Sequence, residues 1–346
     1  MAYTNIDNPS ETAFNTVLYA GTGSEQTVSG VNFQPDFTWL KSRTNGRPNT
    51  LQNSVTGATK QMHSNATDSE TSYTQLLKSF NSDGFVLGTD AFINQSSQNF
   101  VSWNWKAGGS ASSNTAGSIN SSVSVNQESG FSIVSFSGTE ANGTVGHGLG
   151  TTPKFIFGKN RDTATSAWPV YSATIGATKY LNINTTGAQG TFDGYWNNTN
   201  PTSSVFSVGS HPDVNRDNMI YYCFAEKKGY SKIGSYIPNG GGSDNTFIYL
   251  GFSPAFIMAK GSTFGSAWTM VDNRRSTHNV VNSQLFANNS NAEDNSTSNL
   301  MCDFLSNGFK IKSNNGAMGS SGQTYIYMAF AENPFVTSTG IPTTAR

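Results

Sequence analysis

Three stretches of the chain repeat one pattern: Val101-Ser-Trp-Asn-Trp105, Ile220-Tyr-Tyr-Cys-Phe224 and Ile326-Tyr-Met-Ala-Phe330. Each places large apolar residues at every second position, while the positions between them are mixed. Alternation with a period of two predicts a β-strand that has one face in a hydrophobic core. The occurrence of the same strand three times predicts three copies of one structural unit.

Features upstream of these strands recur in the same order. Each copy opens with a proline followed by Phe two residues later and Lys six residues later, in the runs that begin at Pro35, Pro153 and Pro254. The distance from this proline to the last aromatic residue of the strand is 70, 71 and 76 residues. Copies two and three also share a Ser-Ala-Trp motif, which ends at Trp168 and Trp268, and copy one lacks it. These agreements support a true internal repeat.

The composition predicts an all-β fold. Only 12% of the 346 residues are charged, while the chain contains 35 Gly, 23 Phe and 13 Tyr. Residues that favour helix surfaces are scarce, and residues that favour turns and pleated strands are abundant. Units of roughly 100 residues with many short strands are typical of β-sandwiches. We therefore predict three tandem β-sandwich domains.

The expected boundaries follow from the repeat. The three sandwich units are predicted at residues 1–107, 129–229 and 230–336, and residues 337–346 are expected to form a C-terminal tail. Residues 108–128 are rich in Gly and Ser, which predicts a flexible linker between the first two units. The second junction, near residues 229–231, is short.

Several classes of function are disfavoured by the sequence. A net charge of −1 offers no electrostatic surface for nucleic acid. No run approaches the 18 apolar residues of a membrane span, so no membrane insertion is expected, and the N-terminus does not resemble a classical signal peptide. Two isolated cysteines, Cys223 and Cys302, suggest assembly in a reducing cytoplasm.

No catalytic, cofactor-binding or metal-binding residues are predicted. The four histidines, at positions 63, 147, 211 and 278, have no partner at metal-ligand spacing. The run Gly146-His-Gly-Leu-Gly150 precedes a strand rather than a helix, which favours a turn over a nucleotide loop. Adjacent Glu293 and Asp294 do not have the separation that glycoside hydrolysis requires. The chain is therefore expected not to be an enzyme and to need no cofactor.

The tryptophans are the remaining candidates for ligand contact. We interpret Trp168 and Trp268 as core residues because they recur at equivalent positions. Trp196 lies in Gly194-Tyr-Trp-Asn-Asn198, where an exposed indole beside amides could form a platform for a sugar. The alternative is that Trp196 also fills a core.

Several motifs together resemble a repeated domain of unknown function from virion proteins of marine tailed bacteriophages. They include Trp105-Lys-Ala-Gly-Gly109, Thr144-Val-Gly-His-Gly-Leu-Gly150 and Tyr325-Ile-Tyr-Met-Ala-Phe-Ala-Glu-Asn-Pro-Phe335. The resemblance covers nearly the whole chain. Its closest architectural analogy is the lectin-like jelly roll, and it provides no catalytic residues to transfer.

The resemblance implies a non-enzymatic structural protein on the virion surface, assembled in the host cytoplasm. A tail-fibre or host-attachment component is the first expectation, and a capsid-decorating protein (a cement or head-fibre protein) is the alternative. A glycan-cleaving tail enzyme is the second alternative, and it would need two carboxylates across a cleft. The expected partners are further copies of the chain in a homotrimer, other virion proteins, and a glycan or protein receptor on the host.

Overall fold

The protein is all-β, and the computed structural model describes residues 4–242, 245–296 and 300–343. Its strands form three large sheets and three small sheets, one of each per sequence copy. We call the three copies repeat 1, repeat 2 and repeat 3.

Repeat 1 contains two short helices and nine strands: α1 (Pro9–Thr12), β1 (Phe14–Ala20), β2 (Gln26–Ser29), β3 (Phe37–Ser42), β4 (Thr50–Asn53), β5 (Gly57–His63), β6 (Thr71–Ser72), β7 (Leu77–Asn81), β8 (Gly84–Leu87), α2 (Ala91–Asn94) and β9 (Asn99–Trp105). Its large sheet has the order β1-β9-β3-β4-β5-β6, and its small sheet has the order β2-β8-β7.

Repeat 2 contains ten strands and one helix: β10 (Ser112–Asn114), β11 (Ser121–Asn126), β12 (Phe131–Ser137), β13 (Gly143–Gly146), β14 (Phe155–Asn160), β15 (Pro169–Ser172), β16 (Lys179–Asn182), β17 (Gly190–Thr191), α3 (Asp193–Trp196), β18 (Val205–Val208) and β19 (Asn218–Phe224). The large sheet has the order β10-β11-β12-β19-β14-β15-β16-β17, and β13 pairs with β18.

The described residues of repeat 3 form eight strands: β20 (Ser231–Tyr236), β21 (Phe247–Tyr249), β22 (Phe252–Gly261), β23 (Thr269–Asp272), β24 (Leu285–Phe286), β25 (Cys302–Leu305), β26 (Gly308–Ile311) and β27 (Tyr325–Pro334). The large sheet has the order β20-β27-β22-β23-β24, and the small sheet has the order β21-β26-β25.

The repeats agree residue by residue in strand register. The last strand of each repeat lies in the middle of the large sheet: β9 lies between β1 and β3, β19 between β12 and β14, and β27 between β20 and β22. Trp105 is paired with Phe14 and Phe37, Phe224 with Phe131 and Phe155, and Phe330 with Ser231 and Phe256. A shift of one residue would turn the apolar set to the opposite face, so the matching register fixes matching cores.

The close approach of a neighbouring strand explains why glycine recurs at the start of the middle strand of two small sheets. Gly84 has φ of +148°, and a Cβ there would meet the carbonyl oxygen of Val28 at 2.0 Å. A Cβ on Gly308, its equivalent, would meet the carbonyl oxygen of Ile248 at 2.1 Å. Only glycine permits the neighbouring strand to approach this closely.

The three repeats share one central core. Trp105, Phe224 and Phe330 are each no more than 2% exposed, and their ring centroids lie 5.7 to 6.2 Å from one another. The prediction that these residues occupy equivalent core positions is confirmed. The shared core is more than the sequence predicted, because residues of all three large sheets meet in a single cluster.

In repeats 1 and 2, separate cores fill the space between the large and small sheets, whereas in repeat 3 the residues in that space, such as Ile257 and Phe309, belong to the central cluster. In repeat 1, Leu40 of the large sheet packs in one cluster with Val28, Phe85 and Leu87 of the small sheet. In repeat 2, Ile156 and Tyr221 share a cluster with Val145 and Phe206. Each large sheet therefore buries both faces, which explains why its central strands lack an exposed face.

Equivalent lysines connect the repeats in a cyclic order. Each side chain is fully buried, and each ammonium donates to a backbone carbonyl in a different repeat. The bonds run from Lys41 to Ser290 (3.0 Å), from Lys159 to Thr67 (3.0 Å) and from Lys260 to Thr186 (3.2 Å). Repeat 1 thus bonds to repeat 3, repeat 2 to repeat 1, and repeat 3 to repeat 2, so the arrangement closes on itself.

Part of the predicted linker is ordered as sheet. β10 and β11 lie within residues 108–128, and β11 pairs with β12 along six residues. The Gly/Ser-rich composition predicted a flexible linker, but Ser residues alternate there with Val123 and Val125. This alternation is a strand pattern, and it outweighs the composition of the region. The predicted C-terminal tail contacts the N-terminal segment, since the backbone N–H of Ser338 donates to Asp7 Oδ1 at 2.7 Å. Residues 344–346 lie outside the described part.

Candidate binding site

Trp196 is not an exposed platform. It is 1% exposed and packs against Tyr171, Tyr195 and Tyr221 in the outer core of repeat 2. A buried indole cannot stack on a sugar, so the platform interpretation is wrong. The short helix α3 turns the aromatic residues inward, and the sequence neighbours Asn197 and Asn198 end it in left-handed conformations.

Trp168 and Trp268 are core residues, as interpreted from their recurrence. Both are at most 1% exposed. The Trp168 indole N–H donates to the His63 carbonyl at 3.0 Å, and that of Trp268 donates to the Asn182 carbonyl at 2.9 Å. Each indole therefore bonds to the preceding repeat. In repeat 1 the equivalent residue is Asn49, whose amide donates to the Phe286 carbonyl at 3.0 Å.

The groups most often used in catalysis are dispersed or buried. Burial raises the pKa of the Cys223 and Cys302 thiols, which opposes formation of the nucleophilic thiolate. Burial also lowers the pKa of His147, whose Nδ1 accepts a bond from the Leu149 backbone at 3.2 Å within its glycine-rich turn. Within the described residues, no group of three His, Cys, Asp or Glu side chains could hold a metal ion.

Glu293 has a structural role. It forms a two-bond pair with Arg43, at 2.8 and 2.9 Å, and lies 3.2 Å from the Arg275 guanidinium. The carboxylate therefore joins repeat 3 to repeat 1. Its neighbour Asp294 accepts a bond from the Gln284 side chain at 3.0 Å.

Two exposed aromatic residues lie on one sheet face of repeat 3. Phe247 is 43% exposed and Tyr249 is 51% exposed, while Ile248 between them is 7% exposed. Strand β21 therefore presents both rings on one outer face. The Lys232 ammonium lies 5.5 Å from the centroid of the Tyr249 ring and donates to the Tyr249 carbonyl at 3.1 Å.

This face is specific to repeat 3. The β-ladders align Phe247 with Thr27 and Thr144, and Tyr249 with Ser29 and Gly146. The scaffold therefore accepts small residues at these positions and does not require aromatic side chains for folding. Lys232 is likewise aligned with Asn15 and Ser132, because β20, β1 and β12 pair in the same register with the last strand of their repeats. We call Lys232, Phe247 and Tyr249 the repeat-3 patch.

A cavity of about 340 Å³ adjoins the repeat-3 patch. The residues that line it are Glu226, Lys228, Gly229, Ser231, Lys232, Tyr249, Leu250 and Gly251. The volume lies at the lower end of the range for small-molecule sites, about 300–1,000 Å³. Lys228, Lys232 and Glu226 are the charged residues of the lining.

The carboxylate of this cavity is held in place by the backbone. Glu226 Oε1 accepts a bond from the Ile233 N–H at 2.9 Å, at the start of the large sheet of repeat 3. Glu226 lies two residues after the end of β19, so this contact ties the end of repeat 2 to the first strand of repeat 3. It also directs a charged group toward the space beside Tyr249, which the sequence reasoning did not predict.

The described residues form an all-β chain of three structural repeats, with two exposed aromatic side chains on the small sheet of the third. The chain belongs to the family described as domain of unknown function DUF7483, whose model matches residues 8–334. That single match spans all three repeats. No curated protein and no solved structure matches the chain. In the described residues, no helix is long and apolar enough to cross a membrane.

Proposed function

We propose that this protein is a non-enzymatic structural protein on the surface of a tailed-phage particle and acts in host attachment. The observation that carries the proposal is the repeat-3 patch. Three equivalent scaffolds keep their cores alike, and one of them replaces small outward residues with Phe247 and Tyr249. A change confined to exposed positions of one repeat favours recognition of a partner over a requirement of folding.

The closed arrangement supports exposure at a particle surface. Backbone and side-chain bonds join every repeat to the other two, and both faces of each large sheet are buried. Such a chain offers few locally unfolded segments to proteases. We propose further that each repeat is a β-sandwich of the lectin-like jelly-roll type, which places ligand contacts on outer loops and small sheets.

The partners follow from the same proposal. Other virion proteins would anchor the chain, three copies would form a homotrimer, and a host glycan or protein would be the receptor. Localisation would be the virion, after assembly in the host cytoplasm. The motifs at Trp105–Gly109 and Tyr325–Phe335, which resemble those of marine phage virion proteins, support this setting.

Electron microscopy of intact particles labelled with an antibody fragment against the chain tests the proposal. Label at the tail is the expected result. Label distributed over the head would overturn the attachment role and favour the capsid-decorating alternative. Particles that carry no label, while the fragment binds the isolated chain, would exclude an exposed virion position.

Competition for host cells provides a second test of attachment. The isolated chain should slow adsorption of the phage, and a Phe247→Thr/Tyr249→Ser variant should lose most of this effect. Both substitutions introduce the residues that repeat 1 carries at the equivalent positions. An unchanged effect of the variant would exclude the repeat-3 patch as the attachment surface.

A further inference from the structure

We infer that a second cavity, at the contact between repeats 1 and 3, binds a small α-amino acid, with the carboxylate of the ligand at Arg274 and its ammonium group at Glu332. The cavity has a volume of about 180 Å³ and lies between strand β1 on one side and strands β22 and β27 on the other. A volume below the range of drug-sized sites, about 300–1,000 Å³, suits a ligand of few atoms. The inference goes beyond the proposed attachment function and does not depend on it.

The two charged residues of the cavity lining have opposite signs. Within the described residues, neither the Arg274 guanidinium nor the Glu332 carboxylate forms a hydrogen bond or an ion pair. A guanidinium binds a carboxylate through two parallel N–H bonds, and a carboxylate accepts bonds from an ammonium group. A ligand that carries both charges therefore complements both residues, whereas a ligand with a single charge would be repelled by the residue of like sign.

Two β-bulges lie beside this cavity. In the ladder between β22 and β27, the pairing skips Ala255 on one strand and Glu332 on the other, and both residues line the cavity. Bulges change the direction of side chains and are frequent beside functional sites. The equivalent strands of repeats 1 and 2 end at Trp105 and Phe224, whereas β27 continues to Pro334. The bulged extension that carries Glu332 therefore belongs to repeat 3.

A buried hydroxyl lines the side of the cavity that repeat 1 contributes. Thr16 is 4% exposed, and its Oγ1 forms no hydrogen bond with the described residues. The matching registers align Thr16 with Ile133 and Ile233, so the fold accepts an apolar side chain at this position. An unbonded hydroxyl in a buried position is unfavourable, and a polar ligand in the cavity would remove that cost.

The combination of charges is specific to repeat 3. Asp272, Asn53 and Ser172 are equivalent in strand register. The residues two positions further along the chain are Arg274, Val55 and Thr174, and those aligned with Glu332 are Ala107 and Glu226. Since repeats 1 and 2 fold without an arginine at this position, folding does not require one. A charged pair confined to one repeat favours recognition of a ligand.

Three probes of nearly equal size test the inference by isothermal titration calorimetry on the full chain. L-Alanine carries both charges, L-lactate has a hydroxyl in place of the ammonium group, and L-alaninamide has an amide in place of the carboxylate. L-Alanine should bind, and each of the other two should bind at least about tenfold more weakly. L-Alanine should also raise the unfolding temperature, because it binds a cavity that only the closed chain forms.

Two charge-removing variants then assign each end of the ligand. Arg274→Gln should abolish the preference for L-alanine over L-alaninamide and keep the preference over L-lactate. Glu332→Gln should produce the reverse pattern. A general loss of structure would remove both preferences together, so the crossed result is specific to the proposed contacts. Glu128→Gln removes an exposed carboxylate of repeat 2 and should leave binding unchanged.

The hydroxyl of Thr16 is tested by a substitution of similar shape. Thr16→Val should weaken the binding of L-alanine several-fold without lowering the free energy of unfolding of the ligand-free chain, because the equivalent residues are isoleucines. Unchanged binding would exclude a contact between this hydroxyl and the ligand.

The inference as a whole has clear contrary results. Failure of L-alanine, glycine and L-serine to bind at millimolar concentration would overturn it. Equal binding of L-alanine, L-lactate and L-alaninamide would also overturn it, as would binding that neither Arg274→Gln nor Glu332→Gln alters. Antibody labelling of particles tests host attachment separately, and its result does not change with any of these outcomes.

Discussion

The contacts that repeat 1 makes with its two neighbours differ from the contact between repeats 2 and 3. Each of the three interfaces contains an equivalent backbone hydrogen bond. The backbone nitrogen of Glu293 donates to the Arg43 carbonyl at 2.8 Å, that of Glu70 to Arg161 at 2.7 Å, and that of Gln189 to Ser262 at 2.8 Å. The side chains of these equivalent pairs diverge. Arg43–Glu293 and Arg161–Glu70 are two-bond ion pairs, whereas Ser262 and Gln189 cannot form one.

A second set of equivalent positions shows the same division. The Trp103 indole donates to Asp272 at 3.0 Å between repeats 1 and 3, and the Asn53 amide donates to the Tyr222 hydroxyl at 3.1 Å between repeats 1 and 2. Between repeats 2 and 3 the strand registers place Ser172 and Met328 in these roles. The Ser172 hydroxyl bonds within its own repeat, to Thr174 at 2.8 Å.

The difference relates to how the chain connects the repeats. Repeats 2 and 3 are joined by the short segment between β19 and β20, so their contact is local in sequence. Repeats 1 and 3 have no direct covalent junction, and the entropy of closing the arrangement must be offset by non-covalent contacts. That interface contains the Asp272–Arg275–Glu293 network, with Asp272 and Arg275 side chains fully buried.

The largest loss of stability is expected when Asp272 is substituted. Asp272→Ala removes acceptors for Trp103 and for Arg275, whose Nε lies 2.6 Å away, and leaves a buried guanidinium short of partners. The free energy of unfolding should fall by about 3–5 kcal/mol. At the equivalent positions, Asn53→Ala should cost about 2 kcal/mol and Ser172→Ala about 1 kcal/mol or less.

Urea unfolding of the three variants measures this series. A ranking in the order Asp272, Asn53, Ser172 would support unequal interfaces. Similar costs at all three positions would show that the side-chain differences do not determine interface strength.

A smaller loss of stability is expected when the ion pair between repeats 1 and 2 is replaced by Ser and Gln, which occupy the equivalent positions between repeats 2 and 3. Arg161→Ser should cost about 2 kcal/mol, because Glu70 is left unpaired while only 6% exposed. Glu70→Gln should cost about as much, since it leaves the guanidinium without a carboxylate. The double variant should cost less than the sum of the two, because Ser and Gln coexist at the equivalent interface.

A double-mutant cycle gives the coupling directly. An additive result would indicate that Arg161 and Glu70 do not stabilise the interface as a pair.

The pH dependence should reveal the three buried lysines. Burial lowers the pKa of Lys41, Lys159 and Lys260 to about 8, below the ordinary value of 10.5. Above about pH 8 the folded chain loses protons that the unfolded chain still binds, so stability rises with pH up to the unfolded pKa. Each lysine should add about 2 kcal/mol between about pH 7.5 and pH 9.5.

Lys159→Met isolates this contribution. The buried thiols and tyrosines act in the opposite direction at high pH, but they are common to both proteins and cancel in the difference. The wild type should therefore gain more stability than Lys159→Met over this range. Parallel pH profiles would show that Lys159 keeps an ordinary pKa in the folded chain.

The sequence predicted the parts of the fold that depend on local pattern. Period-two alternation located the strands that carry Trp105, Phe224 and Phe330. The closure of the repeats was not predictable in this way. Its bonds join lysine and tryptophan side chains to backbone carbonyls such as those of Ser290 and Thr67, and a carbonyl has no sequence signature.

The candidate site was missed for a different reason. A tryptophan beside asparagines predicts a sugar platform at Trp196, but residue type does not reveal which face of a turn a side chain occupies. Alignment of the repeats contained the useful signal, since Phe247 and Tyr249 stand where Thr27 and Ser29 stand in repeat 1. Only the observed registers established that alignment in the small sheets.

Scanning calorimetry of the full chain tests the central claim, that the three repeats share one core and close on each other. The account predicts a single transition, with the calorimetric enthalpy equal to the van't Hoff enthalpy, because no repeat can unfold without exposing the Trp105–Phe224–Phe330 cluster. Two or three separate transitions would contradict it and would show that the repeats are independent domains.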